Sequence, residues 1–179
     1  MELNEILSLI LNLISLGLMI ATYFIKGNNM TKILVMVFIA NISIAGGYAL
    51  TGAYQGAVTC FICSFQAIIN SRFDKKNIPV PKWLLAIYIA SIITVNLWSA
   101  SWQITFLSIL AILASSAYVG CVASKNATMY RVFTLFNMGL WIVYDIFSKS
   151  YEALLNHSIL LVFNIAGMIL NDVKLKKAE

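Results

Sequence analysis

Charge is scarce in this chain: Asp, Glu, Lys and Arg make up 11% of its 179 residues, and there are only two prolines and one histidine. Ordinary globular domains carry about a quarter charged residues, so a soluble surface of normal size cannot be assembled. With His157 as the sole imidazole, a metal centre lacks ligands, and no phosphate-binding P-loop motif appears. What the chain has in excess is hydrocarbon, at 61% apolar residues. A membrane-crossing helix needs roughly 20 of these, so about seven spans account for nearly the whole sequence. No separate catalytic domain fits.

The formal charge of +5 would suit a nucleic acid if it formed a patch, but the cations are dispersed through short gaps between apolar runs. Those runs predict spans near 5–25, 30–51, 53–70, 83–99, 102–123, 129–148 and 151–171. The opening run has Glu2 and Glu5 where a signal peptide would be basic, and it reads as the first span. Lys26 and Lys32 flank the first gap, Arg72, Lys75, Lys76 and Lys82 fill the third, Lys125 and Arg131 flank the fifth, and Lys174, Lys176 and Lys177 form the tail. The alternate gaps hold one cation, Lys149. Loop cations stay on the cytoplasmic side, which predicts an outer N-terminus and a cytoplasmic C-terminus. Pro79 and Pro81 both lie in the longest gap, where they disfavour continued helix.

An internal repeat sits on this frame. Gly27-Asn28 matches Lys125-Asn126, Asn41 matches Asn137, Tyr48 matches Tyr144, and Tyr54-Gln55-Gly56-Ala57 matches Tyr151-Glu152-Ala153-Leu154, all at offsets of about 96 to 98. The expected fold is an all-α membrane protein of seven transmembrane helices, with two parallel three-helix bundles joined by a linker helix. Residues 1–70 form the first bundle, 71–101 the cytoplasmic linker and fourth helix, and 102–179 the second bundle with its basic tail. An odd connector returns the second triplet to the membrane in the direction of the first, an arrangement common among transporters with a midplane site.

Polar side chains cost free energy in hydrocarbon unless they pair or line a cavity. Asn41, Ala45 and Tyr48 share one face of the second span, as Asn137, Trp141 and Tyr144 do in the sixth. The third span aligns Gly52, Gly56, Thr59, Cys63, Gln66 and Asn70; the seventh aligns His157, Asn164 and Asn171; the first adds Asn4, Ser8, Asn12 and Ser15. Amides donate and accept together, so a chamber lined this way suits a neutral polar solute. The competing reading is that small and amide residues bind helix to helix, as Gly46-Gly47 and Gly139 also would. Asp145 and His157 fall near the outer surface, where hydration accounts for them; proton coupling is the alternative, since histidine changes charge between pH 5 and 8. Cys60, Cys63 and Cys121 read as small packing residues, and Trp83, Trp98 and Trp102 as interface anchors.

The stretch Leu140-Trp141-Ile142-Val143-Tyr144-Asp145, followed by Ala153-Leu154-Leu155-Asn156, resembles the SWEET and SemiSWEET sugar transporters. That resemblance implies that Trp141 faces a solute, together with Asn156 if the outer turn is one residue short, or His157 if it is not. The chain lacks the Pro-Gln pair of the first SWEET helix and has Ala45 where the repeat would place a second Trp. An asymmetric site with Trp141 on one side and Ala45 with Gln66 on the other would accept a nucleoside-like or vitamin-like molecule. Through Thr51-Gly52-Ala53-Tyr54-Gln55-Gly56-Ala57 and the Trp141 to Asn164 spacing, the whole chain is similar to the YgjV-type family of bacterial inner-membrane proteins. The order of spans also resembles that of the Pnu vitamin transporters, which carry nicotinamide riboside by facilitated diffusion.

These observations favour a multi-pass transporter of the bacterial inner membrane for a small polar solute, bound by Trp141, Asn137, Tyr144, Asn164, Asn156, His157, Asn41, Tyr48 and Gln66. No cofactor, metal or nucleic acid is expected; the partners are the solute, the lipid bilayer and, in an open alternative, further copies of the chain. An intramembrane enzyme would need a nucleophile and base, and no such group stands out. A scaffold or regulatory subunit is the other class.

Overall fold

The computed structural model describes residues 3–26, 29–52 and 54–173. Gly27-Asn28 and the lysine tail lie outside the described residues. The described residues form seven α-helices: α1 (Leu3–Tyr23), α2 (Met30–Leu50), α3 (Tyr54–Lys75), α4 (Lys82–Ser99), α5 (Phe106–Ala123), α6 (Ala127–Ser148) and α7 (Tyr151–Met168), the last continuing as one π-turn, Ile169–Val173. Four of them, α1, α2, α5 and the stretch Ala153–Asn171, are long and apolar enough to cross a membrane; α4 is apolar but shorter. The others, α3 and α6, carry the polar side chains that lower their hydropathy.

Local chemistry sets the boundaries. Asn29 and Asn126 each cap a helix, the side-chain oxygens accepting from the Lys32 and Met129 amides, as short polar residues do at N-caps. Caps of the same kind open α2 and α6, although the cap of α2 falls one residue after the Asn28 that the repeat matches with Asn126. Thr105 and Ser108 form a reciprocal capping box. Helix α5 therefore begins at Phe106 and not near 102, because Ser101 and Trp102 adopt left-handed backbone (φ 52° and 61°) that interrupts a helix. Gly52, at φ 77°, makes the sharp turn into α3. That helix runs on to Lys75, beyond the boundary expected at 70, with Arg72 and Lys75 complementing its C-terminal dipole.

Helix directions alternate, as side-chain bonds and close approaches show. Ser8 donates to the Gly47 carbonyl and Thr31 to the Asp74 carboxylate; Asn137 donates to the Ala114 carbonyl and His157 pairs with Asp145. Successive packing contacts close a circuit, α1–α2–α3–α5–α6–α7 and back to α1, while α4 packs on α3 and α5. Lys26, Lys32, Arg72, Lys75, Lys76, Lys82 and Lys125 all fall at the end where α1, α3 and α5 finish, here termed the basic end. The main apolar core also sits there, built from Tyr23, Met30, Ile33, Leu34, Val37, Ala67, Cys121, Val122, Tyr130 and Met138.

Within that core stands Arg131, only 2% exposed. The sequence places it among the loop cations of the fifth gap; the structure corrects this. Its Nε donates to the Tyr23 carbonyl at 3.0 Å and its Nη2 to the Ile25 carbonyl at 2.7 Å. The last carbonyls of a helix have no intrahelical donor, and a planar guanidinium with five N–H groups can serve two of them at once. Asn171, on the π-turn, adds a second donor to the Tyr23 oxygen at 3.3 Å, and the Gly167 backbone packs on the same carbonyl. A Cβ on Gly167 would lie 2.4 Å from that oxygen, whereas Gly139 has open space around it. Gly167→Ala is thus expected to force α1 from α7 and cost about 1–3 kcal/mol, with Gly139→Ala neutral; thermal unfolding in detergent compares the two.

Candidate solute site

Gln66 lies on the inward stripe of α3 between two residues tied to α5. Three residues before it, the Cys63 carbonyl accepts from the Tyr118 hydroxyl at 3.0 Å. Four residues after it, Asn70 donates to the Val122 carbonyl at 3.0 Å and accepts from the Tyr88 hydroxyl of α4. Gln66 itself is 1% exposed, and neither its amide oxygen nor its amide nitrogen has a hydrogen-bond partner. Buried amides are nearly always paired, so this one is exceptional.

Around it the other expected site residues separate into distinct roles. Asn41 donates to the Tyr118 hydroxyl at 2.7 Å, so one tyrosine joins α2, α3 and α5. Its repeat equivalent Asn137 instead donates to the Ala114 backbone at 2.7 Å, and Asn164 donates to the Arg131 carbonyl at 2.9 Å. Those two nitrogens hold helices together, although the Asn164 oxygen is buried without a partner, as are the oxygens of Asn12 and Asn156. Gly47 lets Asn12 approach: a Cβ there would meet the Asn12 oxygen at 2.7 Å.

At the end opposite the lysines, Trp141, Tyr144 and His157 form one cluster. The His157 ring stacks on Trp141 (centroids 5.8 Å apart, planes at 13°), and Trp141 meets Tyr144 edge to face at 5.2 Å. His157 Nδ1 lies 2.7 Å from the Asp145 carboxylate. Asp145 is 2% exposed, so hydration does not account for it: the helix turns it inward against His157. Tyr48 packs its ring on Gly56 and lies within electrostatic reach of Asp145 and Cys60. Of the two residues competing for the place opposite Trp141, His157 contacts the ring.

Tyr118 escaped sequence reasoning. Its signal was present, a lone phenol within the otherwise small and aliphatic α5, but no repeat partner drew attention to it. Arg131 and Asp145 were visible as charges and misplaced, because periodicity alone does not tell a helix end in water from one buried by a neighbour. Among the described residues no group of three His, Cys, Asp or Glu could hold a metal. At the basic end, a cleft of about 30 Å³ lies between Leu34, Asn70, Asp74 and Val122, room for about one water. Removing the tyrosine bridge tests its weight: Tyr118→Phe deletes the donor to Cys63 and strands the Asn41 amide, an expected loss of about 2 kcal/mol in detergent unfolding.

A family model described as bacterial inner membrane protein, Imp-YgjV, matches residues 6–173. No curated protein and no solved structure matches the chain. The family match spans nearly every described residue of the seven helices. The chain belongs to the Imp-YgjV family of bacterial inner membrane proteins.

Proposed function

We propose that this protein carries a small, neutral, polar solute, a sugar, nucleoside or vitamin such as nicotinamide riboside, by alternating access. Two parallel blocks, α1–α3 and α5–α7, rock about a shared interior, and α4 is the connector. The contact circuit supports this pairing, since exchanging α1, α2 and α3 for α5, α6 and α7 turns the α1–α7 contact into the α5–α3 contact, and both exist. Retention of loop cations on the cytoplasmic side supports a cytoplasmic basic end and an outer N-terminus even without Arg131.

One observation carries the reading: Gln66, buried with every amide atom unpaired. An unmade hydrogen bond in the interior costs about 1–3 kcal/mol, which a packing residue has no reason to sustain. A residue whose partner is a passing solute does. The Asn164, Asn156 and Asn12 oxygens are further buried acceptors without a partner. A scaffold role without transport is the second reading, favoured by the Asn137 and Asn164 nitrogens, which bond to backbone.

Gln66→Leu separates the two. If Gln66 serves a solute, the variant gains about 1–3 kcal/mol of stability and loses the ligand-induced rise in melting temperature that one of glucose, adenosine or nicotinamide riboside produces in the parent. Destabilisation by Gln66→Leu, with no ligand shift in either protein, would leave the scaffold reading standing. Orientation is checked by impermeant maleimide on a cysteine-free background: Lys76→Cys labels from the cytoplasmic face only, and Lys149→Cys from the outer face only.

A further inference from the structure

We propose that the Asp145–His157 pair is a proton-binding site, and that it makes the carrier a symporter of one proton with its neutral solute. This rests on the transport reading above and concerns what drives it. The geometry is that of a held but reachable base. The Asp145 side chain is 3% exposed and its bonded partner is His157, whose side chain is 21% exposed. Protons can therefore reach the imidazole while the carboxylate stays out of water. In the neutral ring, Nδ1 carries the hydrogen that contacts the carboxylate, and the Nε2 lone pair is free for an incoming proton. Uptake forms one N–H bond and breaks none within the protein, and the pair passes from one negative charge to none.

The surroundings favour the loaded form. Trp141 lies parallel to the His157 ring, and an indole face attracts a cation. Several titratable groups stand on the packed helices. Helix α6 adds Tyr144 and the exposed Lys149 at its C-cap, α7 adds Tyr151 and Glu152 in its first turn, and α5 has no charged residue. Tyr48 lies within electrostatic reach of Asp145 from α2, and Glu5 stands exposed in the first turn of α1. Coupling follows from desolvation. Closing this end of the helix bundle brings the Tyr48 side and the Asp145 side together, and an uncompensated negative charge resists leaving water. Closure with the solute is then favoured after the proton has neutralised the pair, and opening toward the basic end releases both.

The proton alone is the first probe. In purified protein with Trp83, Trp98 and Trp102 replaced by Phe, Trp141 fluorescence should fall reversibly as pH goes from 8 to 5, because a protonated imidazole stacked on indole quenches it. His157→Gln should abolish the fall. A flat profile, or the same profile in His157→Gln, overturns the site. Proteoliposomes holding a pH-sensitive dye then test coupling, with glucose, adenosine and nicotinamide riboside added outside. Uptake with luminal acidification supports symport. Uptake without acidification overturns the coupling and leaves transport standing; an intact quench with no uptake overturns the coupling together with the transport reading.

Discussion

The buried guanidinium of Arg131 holds this fold together at one end. A cation in a membrane protein's interior is costly, and here the cost is offset because the C-terminus of α1 presents carbonyls that nothing within α1 can satisfy. Each group solves the other's problem: Arg131 supplies the missing donors to Tyr23 and Ile25, and the partial negative charge of the helix end receives the cation. The requirement propagates. Gly167 must be glycine-sized so that α7 can reach the same carbonyl, the π-turn offers Asn171 to it, and Asn164 fixes the Arg131 backbone from α7. The join between the first and last helices is thereby made by side chains from α6 and α7 converging on one peptide group.

The other join between the two halves, α3 against α5, is made differently. Tyr118 and Asn70 pin it with neutral hydrogen bonds, and between those pins lies the unsatisfied Gln66. The halves share a plan without sharing its use. Asn41 reaches across the join to Tyr118, whereas its equivalent Asn137 stays within its own half on Ala114. Similarly, Tyr48 covers Gly56 while Tyr144 abuts Trp141. A repeated plan with asymmetric interior chemistry gives a lopsided interior, with amide on the α3 side and aromatic rings on the α6 side.

The helices and their alternation were legible in the sequence because apolar runs and loop charges report them directly. The repeat matches Asn28 with Asn126; Asn126 does cap α6, while the cap of α2 is the next residue, Asn29. The inward stripes were legible too: Gln66, Asn137 and Asn164 are all buried. Pairing was not. Whether an amide faces a backbone carbonyl, a phenol or nothing depends on helix rotation and on a neighbour's sequence-distant atoms, such as the carbonyls of Ala114 and Arg131. Charge near a span end was the least legible signal of all. Arg131 and Lys125 look alike in the sequence, yet one caps a helix inside the core and the other stays exposed, because only Arg131 falls on the face of α6 turned toward α1.

Core and latch together bias the molecule. The apolar cluster, the Arg131 contacts and the Asn70 bond lie toward the basic end, while the opposite end presents Asp145, His157 and the unpaired Asn156 oxygen. The basic end is therefore the more firmly tied of the two. Opening the sealed end separates Arg131 from two helix-terminal carbonyls, and both groups then meet water at the membrane boundary, which tempers the loss. What remains must be supplied by new interactions that form as the other end closes. The groups with bonds still to make are buried amides such as Asn156 and Gln66, so in the proposed transport cycle the energy that releases the latch would come from a solute that pairs with them.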